Sequence, residues 1–174
     1  MNAPDLTPTS TLAAEDARPA ALNMPRLGQG YVWQELQVGQ CFRTFRRAVT
    51  ETDLVNFIGV TGMLEAIFIE DGYEGAAMAG RPVPGALTYS LIEGLILQTM
   101  IQGTGLAMLE LQQKIFAPVV VGDTVHAVIE VTEIRPTSRS GRAVVSSRID
   151  VWNQKQQLVM SYLAKRLLAG RDPR

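Results

Sequence analysis

The nine residues Phe116-Ala-Pro118-Val-Val-Val-Gly122-Asp123-Thr124 decide the fold that we predict, because they open a block of strand-like segments in the C-terminal half. Before them, apolar and polar residues alternate over 109–115, and this period of two predicts a half-buried strand. Three further strands are predicted after them, at about residues 125–131, 143–151 and 158–167. The polar run 153–156 (Asn-Gln-Lys-Gln) forms the turn between the last two.

The segments that precede this block have a helical period. Thr50 followed by Asp53 resembles a capping box, which predicts a helix that begins there and ends at Gly62. A short helical turn is predicted over 64–71, and a longer helix over about 86–100. The helix over 86–100 is apolar on nearly all sides, so it is expected to be buried. Helices followed by antiparallel strands predict an α+β fold in which a sheet wraps one long central helix.

Composition predicts one globular domain. The chain has 174 residues, of which 47% are hydrophobic and 19% charged, with 16 basic and 17 acidic side chains. A near-neutral balance gives no reason to expect nucleic acid as a partner. Residues 1–26 carry few bulky apolar groups and resemble no signal peptide, so we predict a mobile tail, followed by a single domain over 27–170.

The expected location is the cytoplasm. The single cysteine, Cys41, cannot form an internal disulfide, and this suits a reducing compartment. No apolar run reaches the roughly 20 residues that a membrane-spanning helix requires. The sequence also lacks the Cys and His clusters that bind metals, so no metal site is predicted.

Five short motifs occur in an order that resembles the MaoC-like dehydratases, a family that includes (R)-specific enoyl-CoA hydratases. They are Gly30-Tyr31 with Glu35, Val38 and Gly39; Val49-Thr50-Glu51-x-Asp53; Val83-x-Gly85-x-Leu87; the stretch 116–124; and Val151-x-Asn153-Gln154. The resemblance covers about residues 28–168. It implies a hot-dog fold, a homodimer or higher homo-oligomer, and an acyl-CoA-type thioester bound at the subunit interface. A CoA thioester would be substrate or ligand, and no other cofactor is implied.

The catalytic pair of that family is absent from the matching positions. Its hydratases carry an Asp and, five residues later, a His that together activate one water. Here the Asp position is Met63 and the His position is Phe68, while Glu65 stands where the family has Asn. A thioether and a phenyl ring cannot exchange protons near neutral pH. Glu65 is the tentative replacement base, and the alternative is an exposed loop carboxylate.

Other residues remain candidates for binding a thioester substrate. Gly85 matches the family glycine whose N–H points at the thioester carbonyl, and the start of a helix would add partial positive charge there. The alternative is a plain helix start with a turn glycine. Substrate-binding candidates are Met63, Phe68, Pro84, Ala86, Arg81 and Lys114. The last two are as easily explained as surface charges.

Three functions remain open. The first is hydration of trans-2-enoyl-CoA, with Gly85 polarising the carbonyl and Glu65 acting as base. The second is a catalytically silent acyl-thioester-binding subunit, which would act alone or in a heteromer with an active homologue. The third is a hot-dog thioesterase in which Glu65 or Glu93 activates water.

Overall fold

A computed structural model describes residues 26–75, 79–138 and 141–171, so most of the predicted tail lies outside the described residues. The helices are α1 (Glu51–Thr61), α2 (Ala66–Ile69) and α3 (Gly85–Thr99), and a 3-10 turn covers Trp33–Glu35. The strands are β1 (Cys41–Arg43), β2 (Arg47–Ala48), β3 (Gly105–Ile115), β4 (Thr124–Pro136), β5 (Arg142–Asn153) and β6 (Leu158–Ala169). Short elements β1 and β2 were not predicted, and α2 is shorter than the predicted turn.

The predicted capping box at the start of α1 is confirmed. Thr50 Oγ1 accepts a hydrogen bond from the Asp53 N–H at 3.1 Å, and the Asp53 carboxylate accepts one from the Thr50 N–H at 2.9 Å. Gly62 ends the helix with φ 73°, a left-handed conformation that glycine adopts without steric cost. Local chemistry alone therefore sets both ends of this helix.

The sheet is antiparallel and has the order β1-β4-β5-β6-β3, with β2 also paired to β4. Alternate residues of β4, β5 and β6 are buried, and they share one apolar core with Leu87, Ile92 and Ile96 of α3. The predicted α+β architecture, a long helix wrapped by an antiparallel sheet, is confirmed. Among the described residues, no helix is long and apolar enough to cross a membrane.

The prediction that the strand before Phe116 is half-buried is wrong. Every residue of β3 except Glu110 is exposed, on both faces of the strand. This strand is exposed because it lies at the edge of the sheet. Within the described part of the chain it pairs only with β6. Alternation correctly predicts a strand, but it does not report how many neighbours cover that strand.

The start of the domain is attached to the end of α3 through a close backbone approach at Gly30. Its N–H donates to Gln102 O at 2.8 Å, and the next N–H, of Tyr31, donates to Met100 O at 2.8 Å. A Cβ on Gly30 would lie 2.4 Å from Met100 O, so only glycine fits at this position.

Candidate functional site

A cleft of roughly 280 Å³ lies at the N-terminal end of α3, and two of the predicted site residues, Phe68 and Gly85, line it. Its walls come from α2, from the segment leading into α3, from the stretch after β3 and from β6. Almost all of the lining side chains are apolar, and the one hydroxyl among them belongs to Thr88, which is buried. Ionisable side chains do not occur among the described residues that line it. The cleft can bind an apolar group, but its own walls cannot transfer protons.

Gly85 is the first residue of α3 and lines this cleft. The N–H of a first helical residue has no partner within its helix, and the aligned peptide dipoles add partial positive charge there. Pro84 precedes it as the buried cap residue, with φ −54°. A Cβ on Gly85 would approach Ile115 Cδ1 to 2.5 Å, but this atom is the end of an exposed, flexible side chain that can move aside. A carbonyl oxygen in the cleft could therefore accept a hydrogen bond from this backbone.

The segment that carries Met63, Glu65 and Phe68 is divided between the cleft and the surface. The half-buried ring of Phe68 lines the cleft, whereas Met63 is 42% exposed and is not part of its wall. Glu65 is exposed at the start of α2, and its side chain makes no capping hydrogen bond. The structure therefore brings Phe68 and Gly85 together but leaves both Met63 and Glu65 outside the lining.

Arg81 lies beside the cleft and makes local contacts. Its Nε–H donates to Phe68 O at 2.8 Å, and its guanidinium pairs with Glu51 at the start of α1. These contacts connect the start of α1 with the backbone of α2 at Phe68. Lys114 and Ala86 are exposed. Because Ile115 lines the cleft, strand alternation directs the neighbouring Lys114 to the other face of β3.

A buried polar cluster, which the sequence reasoning did not assemble, lies further along α3. Glu93 Oε1 accepts hydrogen bonds from Tyr162 Oη at 2.7 Å and from Arg166 Nη2 at 2.5 Å. The Glu93 and Arg166 side chains are 11% and 7% exposed. Burial raises the pKa of Tyr162, and the neighbouring Glu93 charge raises it further. The sequence offered one sign of this cluster. The alternation of apolar and polar residues in β6 places Arg166 on the inward face of the sheet.

Tyr89 packs against this cluster, with its ring edge-on to Tyr162 at a centroid distance of 5.2 Å. Burial raises the pKa of Tyr89, so its hydroxyl keeps its proton across the physiological range. No group of three or more His, Cys, Asp or Glu side chains within residues 26–75, 79–138 and 141–171 is placed to hold a metal ion.

Comparisons with known proteins agree with this fold. The 3-hydroxybutyryl-CoA dehydratase of Methylorubrum extorquens is 24% identical over 110 residues, which are 63% of this chain and 69% of that protein. The unliganded R-hydratase of Pseudomonas aeruginosa is 26% identical, with a TM-score of 0.68 over 83% of this chain and 88% of that one. The MaoC-like dehydratase of Rhodospirillum rubrum is 22% identical, with a TM-score of 0.72 over 83% and 100%.

No protein-family model matches the chain. The solved structures nevertheless confirm the predicted resemblance to the MaoC-like dehydratases and (R)-hydratases, and the chain has their hot-dog fold.

Proposed function

We propose that this protein binds an acyl or enoyl thioester of the CoA type in the cleft at the start of α3, and that it hydrates trans-2-enoyl-CoA poorly or not at all. The observation that carries this proposal is the cleft itself, with a backbone N–H at Gly85 and no ionisable side chain in the described part of its wall. Such a site can polarise a carbonyl, but hydration also requires a group that moves protons.

The thioester part of the proposal is supported by the relatives. The Methylorubrum extorquens relative is a 3-hydroxybutyryl-CoA dehydratase, so its substrate is a CoA ester, and the Pseudomonas aeruginosa neighbour is an R-hydratase. The Gly85 N–H is a backbone feature, so losing the catalytic side chains at positions 63 and 68 does not remove it. The apolar wall around Phe68 suits an acyl chain.

We further propose that two copies of the chain pair through β3. Five large apolar side chains of this strand are between 39% and 59% exposed: Leu106, Met108, Leu109, Leu111 and Ile115. A long edge strand with apolar side chains on both faces readily pairs with another strand. Since Ile115 also lines the cleft, a second copy on β3 would place the thioester site at a subunit interface.

The test measures affinity and turnover on the same protein. We expect acyl-CoA binding by titration calorimetry, together with crotonyl-CoA hydration at least about 10³-fold slower than by a relative with the Asp and His, since each positioned group contributes about 10²–10⁴-fold. Glu65→Gln should leave both quantities unchanged, because Glu65 lies outside the cleft wall. Brisk hydration by the wild type that survives Glu65→Gln would contradict the silent-binder proposal.

Thioester hydrolysis is the other activity to measure, because Glu93 is a buried carboxylate on α3. Its Oε1 is already occupied by Tyr162 and Arg166, which lowers its availability as a base. Release of free CoA that disappears in Glu93→Gln, with the variant still folded, would favour a thioesterase over the silent binder.

A further inference from the structure

A pocket of roughly 240 Å³ lies between the segment around β1 and the C-terminal half of α3. Neither β3 nor β6 contributes a described residue to its lining, so it is separate from the edge on which a second copy is expected. Two of its α3 residues, Leu95 and Thr99, lie on the flank of the helix opposite Leu97, which faces the beginning of β3. Whole small-molecule sites measure about 300–1,000 Å³, so this pocket suits a single ring or a similarly small group.

Aromatic side chains form one side of the pocket. Tyr31 and Phe42 contact each other with a ring-centroid distance of 5.2 Å and an angle of 50° between their planes. Phe45 also lines the pocket, and it is 83% exposed. An exposed phenyl ring beside two other rings offers a planar ligand a surface for stacking.

The rim of the pocket carries a β-bulge between β1 and β2. On one side of the bulge, the Thr44 N–H donates to Ala127 O at 2.9 Å, and on the other side Arg47 is paired with Val125. The two residues in between, 45 and 46, therefore stand opposite one residue of β4, His126. Bulges redirect side chains at the edges of sheets and are common beside functional sites.

Positive charge collects at this bulge. Arg46 is one of the two inserted residues and Arg43 precedes the bulge, and both are exposed. Neither makes an ion pair within the described part of the chain. Burial lowers the pKa of His126, and the charges of Arg46 and Arg43 lower it further, so both guanidinium groups lie near the imidazole. Two arginines held side by side without a counter-ion are suited to bind an anion.

The carboxylates nearest to His126 along β4 and β5 already have a counter-ion. They belong to Glu130 and Asp150, and both are paired with Arg148. Trp152 lies directly opposite His126 on β5 and carries no charge. The buried Nδ1 of His126 has no partner among the described residues, so Nε2 is the ring nitrogen that faces a ligand.

We propose that this pocket and its basic rim bind a small organic phosphate that carries a planar ring, as a nucleotide does. The ring would stack on Phe45 within the pocket, because stacking on an aromatic side chain accepts any planar ring. The phosphate would accept hydrogen bonds from the guanidinium groups of Arg43 and Arg46 and from His126 Nε2, since guanidinium geometry suits phosphate oxygens. This site does not depend on the thioester proposal. A free nucleotide and the phosphorylated adenosine of CoA are two sources of the same chemistry.

The experiment titrates AMP into the full-length protein and follows the NMR signals of His126, the single histidine of the chain. We expect a Kd of about 1 mM or tighter, and a higher pKa of His126 in the complex, because a nearby anion favours the protonated imidazole. Adenosine and inorganic phosphate should each bind at least about tenfold more weakly, since each makes only part of the contacts. Displacement of AMP by CoA would identify CoA as the source, and AMP that CoA does not displace would identify a separate nucleotide. Both results support the site.

Three variants locate the two parts of the site. Arg43→Gln with Arg46→Gln should weaken AMP binding at least about tenfold, because it removes the charged donors. The matched control, Arg135→Gln with Arg142→Gln, removes the same charge at the hairpin end of β4 and β5 and should bind like the wild type. Phe45→Ala should weaken AMP binding at least about fivefold, the low end of base stacking, and leave the binding of inorganic phosphate unchanged. Each variant is first shown to be folded from its NMR spectrum.

The proposal is overturned if adenosine binds as tightly as AMP, or if the two double variants bind AMP equally well. It is also overturned if the His126 signals do not move at about 10 mM AMP, which is tenfold above the expected Kd. A crystal structure in which side chains of a second copy fill this pocket would overturn it as well.

Discussion

Glu93 and Arg166 form a buried ion pair between α3 and β6, so the two charges depend on each other for stability. We expect Glu93→Gln to lower the free energy of unfolding by about 3–5 kcal/mol, because it leaves the Arg166 charge buried without a counter-ion. Replacing both residues together by methionine should cost clearly less, since no buried charge then remains. Urea unfolding of the two variants measures the difference. Equal losses would mean that the pair is not coupled.

His126 is a second residue whose charge state affects stability. Burial lowers its pKa from the usual 6.5, and the charges of Arg46 and Arg43 lower it further. Its Nδ1 is buried and has no partner among the described residues. Below pH 6.5 the unfolded chain binds a proton that the folded protein resists, so stability falls as the pH drops below this value.

We therefore expect the melting temperature of the wild type to decrease between about pH 6.5 and pH 5, above the range in which carboxylates titrate. His126→Gln removes the titrating group and should flatten the profile in this window. Thermal unfolding followed by circular dichroism provides the measurement. A profile for His126→Gln as steep as that of the wild type would assign the effect to other groups.

At the level of elements, β3 is where a second copy is expected to bind. Leu109 and Leu111 are 54% and 39% exposed on this edge strand. Replacing both by lysine should convert a dimer into a monomer at micromolar concentration, because charged edge strands resist pairing. Val60 of α1 is 84% exposed, so Val60→Lys is the control and should remain dimeric. Light scattering that shows a monomeric wild type would contradict the interface.

The elements also show what a sequence can and cannot predict. The ends of α1 were predicted because Thr50, Asp53 and Gly62 determine them through contacts within a few residues. The exposure of β3 was not predicted, because the alternation of polar and apolar residues is the same in a covered strand and in an edge strand. Short strands β1 and β2 were missed for a related reason, since they exist only through pairing with β4.

At the scale of the whole molecule, the residues of the candidate cleft that the sequence named in advance are those that depend on the backbone or on one local segment. Gly85 and Phe68 were named in advance, and both line the cleft. The cluster around Glu93 was not assembled, because its partner Arg166 lies 73 residues away and only the packing of β6 against α3 brings them together. Arg81 was named as a substrate-binding candidate, but its contacts are with Glu51 and the backbone of Phe68.

The strongest whole-molecule test restores the missing acid and base together. The double change Met63→Asp with Phe68→His should raise crotonyl-CoA hydration by about 10- to 100-fold over the wild type. This is at the low end of what positioned groups contribute, because Phe68 lines the cleft while Met63 does not. Initial rates of crotonyl-CoA hydration are measured together with CoA-ester affinity. The two measurements separate a gain in turnover from a gain in binding.

The matched control moves the carboxylate by one residue, as Leu64→Asp with Phe68→His. It adds the same two ionisable groups in a register that the family resemblance does not support, so hydration should stay within about threefold of the wild type if geometry decides the rate. Equal gains in the two double variants would mean that any nearby carboxylate suffices. No gain in either, with acyl-CoA affinity retained, would show that this chain has also lost the geometry that hydration requires.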